Sequence, residues 1–310
     1  MIFKYSDSNK RYYTLDYYYK KTFGSKVFKV SLNQNCTCPN IDGTKGINGC
    51  IYCKHGGASF GGDKNKDIIT QFNEVKEMML KKWPNAKYIA YFQTGTNTYC
   101  SINKLKKNCE DVLKQKDVIG INIATRCDAI STECLDYLTE LDKKTFLTIE
   151  LGLQTIHEKT SILINRGHTL EEFEKMVKKL KERNLKVVVH IINGLPYETK
   201  EMMLETAKYL NKLNIDGIKI HMLHILKGTK LEEMYQKEKF HVLTKEEYID
   251  IVVSQLELLK EDIVIHRITG DPDKNELIEP TWLIKKFCVL NDIDKEQKKR
   301  DSYQGKYYSS

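Results

Sequence analysis

The stretch CPNIDGTKGINGCIYC, from Cys38 to Cys53, is the most informative part of this sequence. Cys50 and Cys53 form a C-x2-C pair, and Cys38 lies upstream of them across eleven residues that are rich in glycine. Three thiolates on one loop can bind three irons of a [4Fe-4S] cluster and leave the fourth iron open to a small molecule. Electron-transfer clusters normally take four cysteines, so this pattern favours a cluster that takes part in chemistry.

Two other uses of the C-x2-C pair are open at this point. It can be half of a zinc site, which would need a second C-x2-C or an H-x3-5-H pair nearby, or it can be a thioredoxin-type redox pair. The sequence has no such second pair, and a redox C-x2-C opens a helix without an upstream cysteine partner. Five further cysteines are isolated in the sequence: Cys100, Cys109, Cys127, Cys134 and Cys288. Spacing alone therefore leaves cluster, zinc and redox uses as alternatives.

The upstream ligand could be Cys36 or Cys38, because the sequence reads CTC at this point. Residues two apart in an extended segment face the same side, so local geometry does not separate them. Pro39 favours Cys38, since the residue before a proline is held in an extended conformation. Cys36 would then be a small core residue, which is the commoner fate of a free cysteine.

Length and composition indicate a globular chain without a membrane span. The 310 residues can form one barrel of ordinary size or two small domains. No apolar run approaches the roughly eighteen residues of a membrane helix, and the N-terminus lacks a signal-peptide pattern. Nine cysteines without such a signal predict reduced thiols in the cytoplasm. The net charge of +8 permits an anionic partner such as RNA without requiring one.

Strand-like and helix-like segments alternate through most of the chain. Apolar and β-branched content predicts strands at 27–32, 88–92, 118–124, 145–151, 186–192, 217–223 and 263–268. Helical spacing of apolar residues predicts helices at 67–82, 102–114, 132–141, 170–183, 199–213 and 245–260. Repeated strand–helix units imply a parallel sheet with right-handed crossovers, arranged as an open or closed (β/α) barrel.

Polar residues follow the predicted strands, which is where a (β/α) barrel carries its chemistry. The cysteine loop follows the first strand, and the later candidates are, in chain order, Gln93, Thr94, Asn97, Thr125, Arg126, Asp128, Gln154, Asn193, Gly194, Pro196 and His224. Any one of these residues could simply cap a helix or build a turn. Five such loops on one rim, beside a metal-ligand loop, predict a shared site.

Two polar residues lie inside predicted strands, Glu150 in TFLTIELGL and His190 in KVVVHII. A carboxylate in such surroundings is not buried without a partner. Glu150 therefore either faces the helices and pairs with a lysine, or points into the barrel and binds a ligand. His190 has the same two interpretations, with a satisfied core histidine as the default.

Ten segments, in order over nearly the whole chain, carry a resemblance to a known family: FGSKVFKVSL, CPNIDGTKGINGCIYC, YFQTGTNTY, TRCD, ELGLQT, NRGHT, VVVHIINGLPYET, HMLHILKGT, HRITGD and VLNDIDKEQKKRDSYQGK. They resemble the radical S-adenosylmethionine (SAM) superfamily. More narrowly, they are similar to its YhcC/YtqA-type branch, whose catalytic core is similar to that of the Elongator catalytic subunit. The C-x11-C-x2-C spacing, in place of the commoner C-x3-C-x2-C, is itself a mark of this branch.

This resemblance implies an α/β fold, a partial (β/α)6 TIM-like barrel of the radical SAM type with a short C-terminal extension. The organisation that we expect is an N-terminal extension at 1–24, the barrel at 25–270 and a basic C-terminal extension at 271–310. The cofactors that it implies are a [4Fe-4S] cluster and SAM.

The resemblance also implies roles for individual residues. The cluster ligands would be Cys38, Cys50 and Cys53, and the amino and carboxylate groups of SAM would bind the open iron. Arg166, in NRGHT, matches a position that pairs with the SAM carboxylate, which suits a guanidinium fork. The other cofactor-binding positions are Gln93 and Thr94, which replace a Gly-Gly-Glu element that meets the SAM amino group, and Glu150, Gln154 and His190, which line the nucleoside and substrate side.

The implied activity is that of a radical SAM enzyme, which generates a 5′-deoxyadenosyl radical that abstracts hydrogen from an unactivated carbon. The kinship with Elongator suggests a tRNA substrate, modified on a wobble uridine side chain, and an external one-electron reductant of the flavodoxin or ferredoxin type. Lysines, an arginine and tyrosines within 295–308 could contact RNA. The alternatives are a radical SAM enzyme that acts on a small metabolite or a protein, and a non-catalytic metal-binding protein that binds RNA.

Overall fold

Seven parallel strands form one curled sheet that is open on one side. The computed structural model describes residues 3–54 and 62–309 of the chain. The strands of the sheet are β1 (Val27–Leu32), β2 (Lys87–Phe92), β3 (Val118–Thr125), β4 (Phe146–Gln154), β5 (Lys186–Asn193), β6 (Gly217–Met222) and β8 (Val264–Arg267). Two short strands, β7 (Ile225–Leu226) and β9 (Leu277–Glu279), pair antiparallel with each other.

The helices lie between successive strands of the sheet, except for the first, which precedes the sheet, and the last, which follows it. They are α1 (Leu15–Phe23), α2 (Ile68–Leu80), α3 (Ile102–Leu113), α4 (Thr132–Asp142), α5 (Glu158–Leu163), α6 (Leu170–Glu182), α7 (Lys200–Leu210), α8 (Lys230–Lys237), α9 (Lys245–Leu258) and α10 (Lys286–Lys299). Six strand–helix units precede β8, so the partial (β/α)6 barrel predicted from the sequence is confirmed.

The order of strands in the sheet follows the order of the chain, from β1 at one edge to β8 at the other. Each strand pairs in parallel with the next, so the carboxyl ends of all seven strands lie on the same rim. This rim therefore receives the cysteine loop after β1 together with the polar loops after β2 to β6.

Local sequence signals explain why the connecting helices begin where they do. At the start of α6, the Thr169 side chain accepts from the Glu172 backbone, while the Glu172 side chain accepts from the Thr169 backbone. This capping box satisfies N–H groups that a helix start leaves unpaired. The apolar stripe of α6 then faces the sheet and is buried: Phe173, Met176, Val177 and Leu180.

The N-terminal and C-terminal segments meet at the opposite rim, where the strands begin. The Ile265 N–H donates to the Tyr13 carbonyl at 2.8 Å, which fastens the segment before α1 to β8. Gln304 is fully buried; its amide nitrogen donates to the carbonyls of Lys260 and Ile263, and its oxygen accepts from the Tyr13 N–H at 2.9 Å. One side chain from the end of the chain thus holds the beginning of the chain in place.

The basic segment at 295–308 is part of this packed end. Its first five residues, 295–299, belong to α10, which packs against α9. Lys295 pairs with Asp292 at 3.0 Å, and Arg300 pairs with Asp250 at 2.6 Å. Several of the charges that the sequence offers to RNA are therefore matched within the protein.

Candidate active site

A cavity of about 700 Å³ opens at the rim formed by the carboxyl ends of the strands. This volume falls in the range of pockets that hold small molecules and cofactors. Four residues predicted as cofactor-binding line the cavity: Gln93, Thr94, Gln154 and His190. Cys53 lines it too, so one cysteine of the C-x2-C pair lies in the same cavity as these polar residues.

The cysteine loop turns sharply at both of its ends. The Cys38 carbonyl accepts from the N–H of Ile41 at 2.8 Å, and the Cys53 N–H donates to the Cys50 carbonyl at 2.9 Å. Burial raises the pKa of the Cys50 thiol, and nearby Cys38 raises it further, whereas the charge of Arg126 lowers it. The Cys38 and Cys50 thiols therefore lie close enough to interact, and the Arg126 guanidinium lies near them.

Within 3–54 and 62–309, no three His, Cys, Asp or Glu side chains converge on a point that could hold a single metal ion. An iron–sulfur cluster makes a different demand, because each thiolate binds its own iron. The absence of a single-ion site in the described residues therefore does not bear on a cluster, whose thiolates bind separate irons.

Asn40 fastens the cysteine loop to the loop between α5 and α6. Its side chain is fully buried, and its amide donates to the Asn165 carbonyl at 2.7 Å and lies 3.8 Å from the Cys50 sulfur. Asn165 returns the contact, because its amide donates to the Gly49 carbonyl at 2.7 Å. A Cβ at Gly46 would lie 2.2 Å from the Asn40 side-chain oxygen, so this crossing requires glycine.

Cys36 has a different partner from Cys38. Its thiol hydrogen-bonds with Cys100, near the start of α3, and this bond raises the pKa of Cys36 and lowers the pKa of Cys100 to about 7. The loop after β2 packs closely here, because a Cβ on Gly95 would lie 2.3 Å from the Cys36 carbonyl oxygen. This loop carries Gln93 and Thr94 to the edge of the cysteine loop.

Arg166 lies outside the cavity lining and is 1% exposed. Its Nε and Nη2 donate to the His168 carbonyl at 3.0 and 2.8 Å, and its Nη1 donates to the carbonyls of Leu153 and Thr155 at 2.8 and 2.7 Å. All three nitrogens therefore bind backbone. This geometry favours a structural role, in which Arg166 fixes the loop that carries Asn165 to the end of β4, over the predicted contact with a SAM carboxylate.

Glu150 points into the barrel, where its fully buried carboxylate is the centre of a polar cluster. It accepts hydrogen bonds from Lys29 at 2.9 Å, Tyr91 at 2.7 Å, Asn122 at 2.7 Å, His190 at 2.8 Å and Lys219 at 2.5 Å. The structure combines parts of the two interpretations of Glu150. Its carboxylate pairs with lysines, as the first one expected, and it points into the barrel, as the second one expected. It reaches the cavity through His190.

The charges in this cluster are unequal, because one carboxylate faces two lysines. Burial opposes ionisation of Glu150, but Lys219 and Lys29 outweigh it and hold the pKa of that carboxyl well below its usual range. Burial lowers the pKa of Lys219 to about 7, and Lys29 adds to this effect. Burial, with Lys219 beside it, also lowers the pKa of His190 to about 4, so this imidazole is neutral at pH 7.

Among the residues that line the cavity, three atoms are buried without a hydrogen-bond partner in the described part of the chain: Gln154 Oε1, His221 Nε2 and His224 Nε2. Gln154 also has a backbone φ of +64°, in the left-handed region that costs energy for a residue with a side chain. Unpaired polar groups and local strain are typical of a surface that is completed by a ligand.

Other rim residues that the sequence predicted serve the structure. Asn97 is fully buried and bonds the carbonyls that end β2 and β3, and Asp128 receives a two-point contact from Arg126. Sequence reasoning missed Lys29, Lys219 and Arg267. The available signal was a cation within a short apolar strand, as in VFKVSL and GIKIHM.

The comparison with protein families decides what this arrangement is. The model of the Radical SAM superfamily matches residues 44–210, and that of the Radical SAM C-terminal domain matches 215–299. The chain belongs to the radical SAM superfamily. It is therefore an enzyme that uses a [4Fe-4S] cluster and SAM, the cofactors of this superfamily. No helix in the described part of this radical SAM protein has the length and apolar character needed to cross a membrane.

Relatives of this radical SAM protein confirm the branch that the sequence motifs indicated. YtqA of Bacillus subtilis is 46% identical over 307 residues, which cover 99% of this chain and 95% of that protein. The tRNA uridine(34) acetyltransferase of Methanocaldococcus jannaschii is 28% identical over 182 residues, which cover 53% of this chain and 34% of the relative. The fold is similar to that of Elp3 of Methanocaldococcus infernus, with a TM-score of 0.68 at 19% identity, over 90% of this chain and 64% of that one.

We predict that Arg166→Ala lowers the stability of the fold and the iron content together. The substitution removes the Arg166 donors from the carbonyls of Thr155 and His168, each at a cost of about 1–3 kcal/mol, whereas the Leu153 carbonyl keeps its bond from the Thr155 N–H. Urea unfolding and iron analysis of the purified variant measure both effects, and Arg183→Ala, on the surface at the end of α6, is the control. A variant as stable as wild type that loses only SAM affinity would instead support the carboxylate contact.

We also predict that acid destabilises the fold partly through His224. Burial, with Arg267 beside it, lowers the pKa of this imidazole to about 4, whereas an unfolded histidine titrates near 6.5. Between these values the unfolded chain binds more protons, so the free energy of unfolding falls as the pH falls, by about 2 kcal/mol at pH 5 for one such group. Urea unfolding of the cluster-free protein at pH 7 and pH 5 measures this loss.

His224→Gln should reduce that pH-dependent loss by about the same amount, because the variant lacks the titrating ring. His241→Gln, which changes an exposed histidine, should leave it unchanged. If the free energy of unfolding falls by the same amount between pH 7 and pH 5 in wild type and in His224→Gln, the acid sensitivity does not come from His224.

Proposed function

We propose that this radical SAM enzyme modifies tRNA at the side chain of a wobble uridine. The observation that carries the proposal is the similarity to tRNA uridine(34) acetyltransferase, which extends over 53% of this chain at 28% identity. The net charge of +8 suits a polyanionic substrate. The cavity supports the proposal because it is open at the rim, where a single nucleotide could enter from a larger molecule.

The residues of the cysteine loop fit the cluster. We propose Cys38, Cys50 and Cys53 as its ligands, because Cys38 lies beside Cys50 and Cys53 lines the cavity, whereas the Cys36 thiol is hydrogen-bonded to the Cys100 thiol. The buried amide of Asn40 beside the Cys50 sulfur offers the kind of N–H contact that tunes thiolate ligands. The guanidinium of Arg126 supplies positive charge next to thiolates that must be deprotonated to bind iron.

When both cofactors are bound, they supply a 5′-deoxyadenosyl radical that can take a hydrogen atom from an unactivated carbon. The protein holds and orients SAM and shields it from water. We assign Gln93 and Thr94 to the methionine end of SAM, because their loop contacts the cysteine loop. Gln154 and His190 then face the nucleoside and the substrate, and the unpaired Gln154 oxygen can accept from a hydroxyl or an amine of the ligand.

Apolar side chains complete the wall of the cavity next to these polar groups: Ile192, Met222, Leu223 and Leu226. They exclude water from the space in which a radical would otherwise meet solvent. The neutral imidazole of His190, held by Glu150, gives this wall a hydrogen-bonding group of fixed orientation. The site thus combines a dry surface with a few positioned polar atoms.

Radical SAM enzymes require an external one-electron reductant, and we propose a donor of the flavodoxin or ferredoxin type for this one. A second candidate function is the modification of a small metabolite or a protein, which the cavity volume of about 700 Å³ would suit. The non-catalytic alternative no longer applies, since the family consists of enzymes.

We predict that Cys38→Ala, Cys50→Ala and Cys53→Ala each prevent cluster assembly, whereas Cys36→Ala retains it. Loss of one thiolate of three leaves a second iron without a protein ligand. Iron and sulfide content with the visible absorption spectrum, after anaerobic reconstitution, provide the measurement. A cluster in Cys38→Ala and none in Cys36→Ala would show that Cys36 is the ligand.

The substrate is tested by comparing nucleosides from bulk tRNA of wild-type and deletion strains by mass spectrometry. We expect one modified uridine to be lost and its precursor to accumulate. Purified enzyme with SAM and dithionite should then restore the nucleoside in tRNA from the deletion strain, and Cys50→Ala should not. Identical nucleosides in the two strains would contradict the tRNA proposal and favour a small substrate or a protein.

A further inference from the structure

The cations that line the cavity are not all neutralised by the protein. Lys54 pairs with Glu276 at 2.8 Å, and Asp271 pairs with Lys286 at 2.7 Å, so both carboxylates at the mouth are occupied. Arg267, at the end of β8, is exposed to the cavity and forms no ion pair with any described residue. A guanidinium left open in this way has its full set of donors available to an incoming anion.

A second cation at the mouth, Lys64, also lines the cavity without an ion pair in the described part of the chain. Lys64 lies between β1 and α2, whereas Arg267 ends β8, so the two come from the two edges of the open sheet. A ligand that enters through the open side of the barrel would pass between them.

The interior beneath Arg267 also carries excess positive charge. Lys29 and Lys219 share the single carboxylate of Glu150, and Lys219 is the register partner of Arg267 in the adjoining strand. The potential of this end of the cavity therefore favours an anion. The fold has placed two lysines on one carboxylate with Arg267 beside Lys219, and Arg267 forms no ion pair within residues 3–54 and 62–309.

Two imidazoles next to Arg267 provide an independent sign of a missing ligand. His221 and His224 each have a buried Nε2 without a hydrogen-bond partner among the described residues. The charge of Arg267 acts on both rings, which locates them beside its guanidinium. Neutral imidazole N–H groups and a guanidinium together form a donor set suited to the oxygens of a phosphate group.

We propose that Arg267, supported by His221, His224 and Lys64, binds a phosphate group of the substrate. The site would hold the phosphate next to the reacting nucleoside, while the cysteine side of the cavity holds SAM. That the phosphate belongs to a nucleotide within RNA rests on the proposed function; the same donors would equally bind the phosphate of a free nucleotide.

The test compares three ligands on the reconstituted holoenzyme with SAM bound, by anaerobic calorimetry. These ligands are uridine, uridine 5′-monophosphate and a synthetic 17-nucleotide anticodon stem-loop. Arg267→Gln should weaken the monophosphate or the stem-loop roughly tenfold to hundredfold and leave uridine unchanged. Arg267→Lys keeps the charge without the fork and should fall between wild type and Arg267→Gln.

Arg183→Gln is the matched control, because it removes the same charge at the surface end of α6. It should change none of the three affinities. Iron content and thermal melting must be equal in the variants and wild type, which the exposed position of Arg267 leads us to expect. With the stem-loop, Arg267→Gln should also reduce the slope of log Kd against log salt by about one.

An effect on the stem-loop but not on the monophosphate identifies RNA as the source of the phosphate, and the reverse identifies a free nucleotide. Equal affinities of wild type and Arg267→Gln for both would overturn the proposal. So would a loss confined to SAM affinity, which would make Arg267 a contact of the SAM carboxylate. If tRNA nucleosides are unchanged in the deletion strain while the monophosphate still depends on Arg267, the tRNA function fails and the phosphate site stands.

Discussion

One buried carboxylate connects most of the barrel. Glu150, in the central strand β4, accepts hydrogen bonds from side chains of β1, β2, β3, β5 and β6. The last strand joins through His266, whose ring lies 3.3 Å from Lys29. A curled open sheet has no closing pair of strands to fix its curvature, so a charge at its centre that binds groups from both halves sets how tightly it curls. The curvature of the sheet in turn determines how far apart the loops on the rim lie.

Burying such a charged cluster costs desolvation free energy. This cost is offset only when every polar group in the cluster has a hydrogen-bond or ion-pair partner. Apolar residues of similar size often stabilise a core as well as buried ion pairs do, or better. Stability alone therefore does not explain why charged residues occupy the centre of this barrel. The cluster does something that an apolar core cannot do: through His190 it presents an oriented polar group to the cavity, and through its second lysine it leaves that cavity positive. The same atoms thus hold the barrel together and set the electrostatics of the site.

The sequence predicted the strand and helix pattern of the barrel because both signals are local. The apolar run KVVVHII became β5, and each of the seven strands and six connecting helices was expected within a few residues of its place. The sequence also predicted Gln93, Gln154 and His190 as site residues, and all three line one cavity. No sequence signal indicates that the Arg166 guanidinium donates four hydrogen bonds to backbone carbonyls, because an arginine in a loop can equally bind a ligand. The hydrogen bond between Cys36 and Cys100 joins residues that are far apart in the chain, so the spacing of the cysteines could not predict it.

The contact of Gln304 with Tyr13 has a consequence for biosynthesis. Cys38 to Cys53 leave the ribosome early, whereas the amide that secures the lower rim is made about 250 residues later. When the cysteine loop has been made, its anchor Asn165, which follows β4, and the strands β5 and β6 are still to come. Iron delivered in that interval would meet thiols without their scaffold. The thiols and the scaffold that holds them are therefore made at different times, by the order of the chain alone.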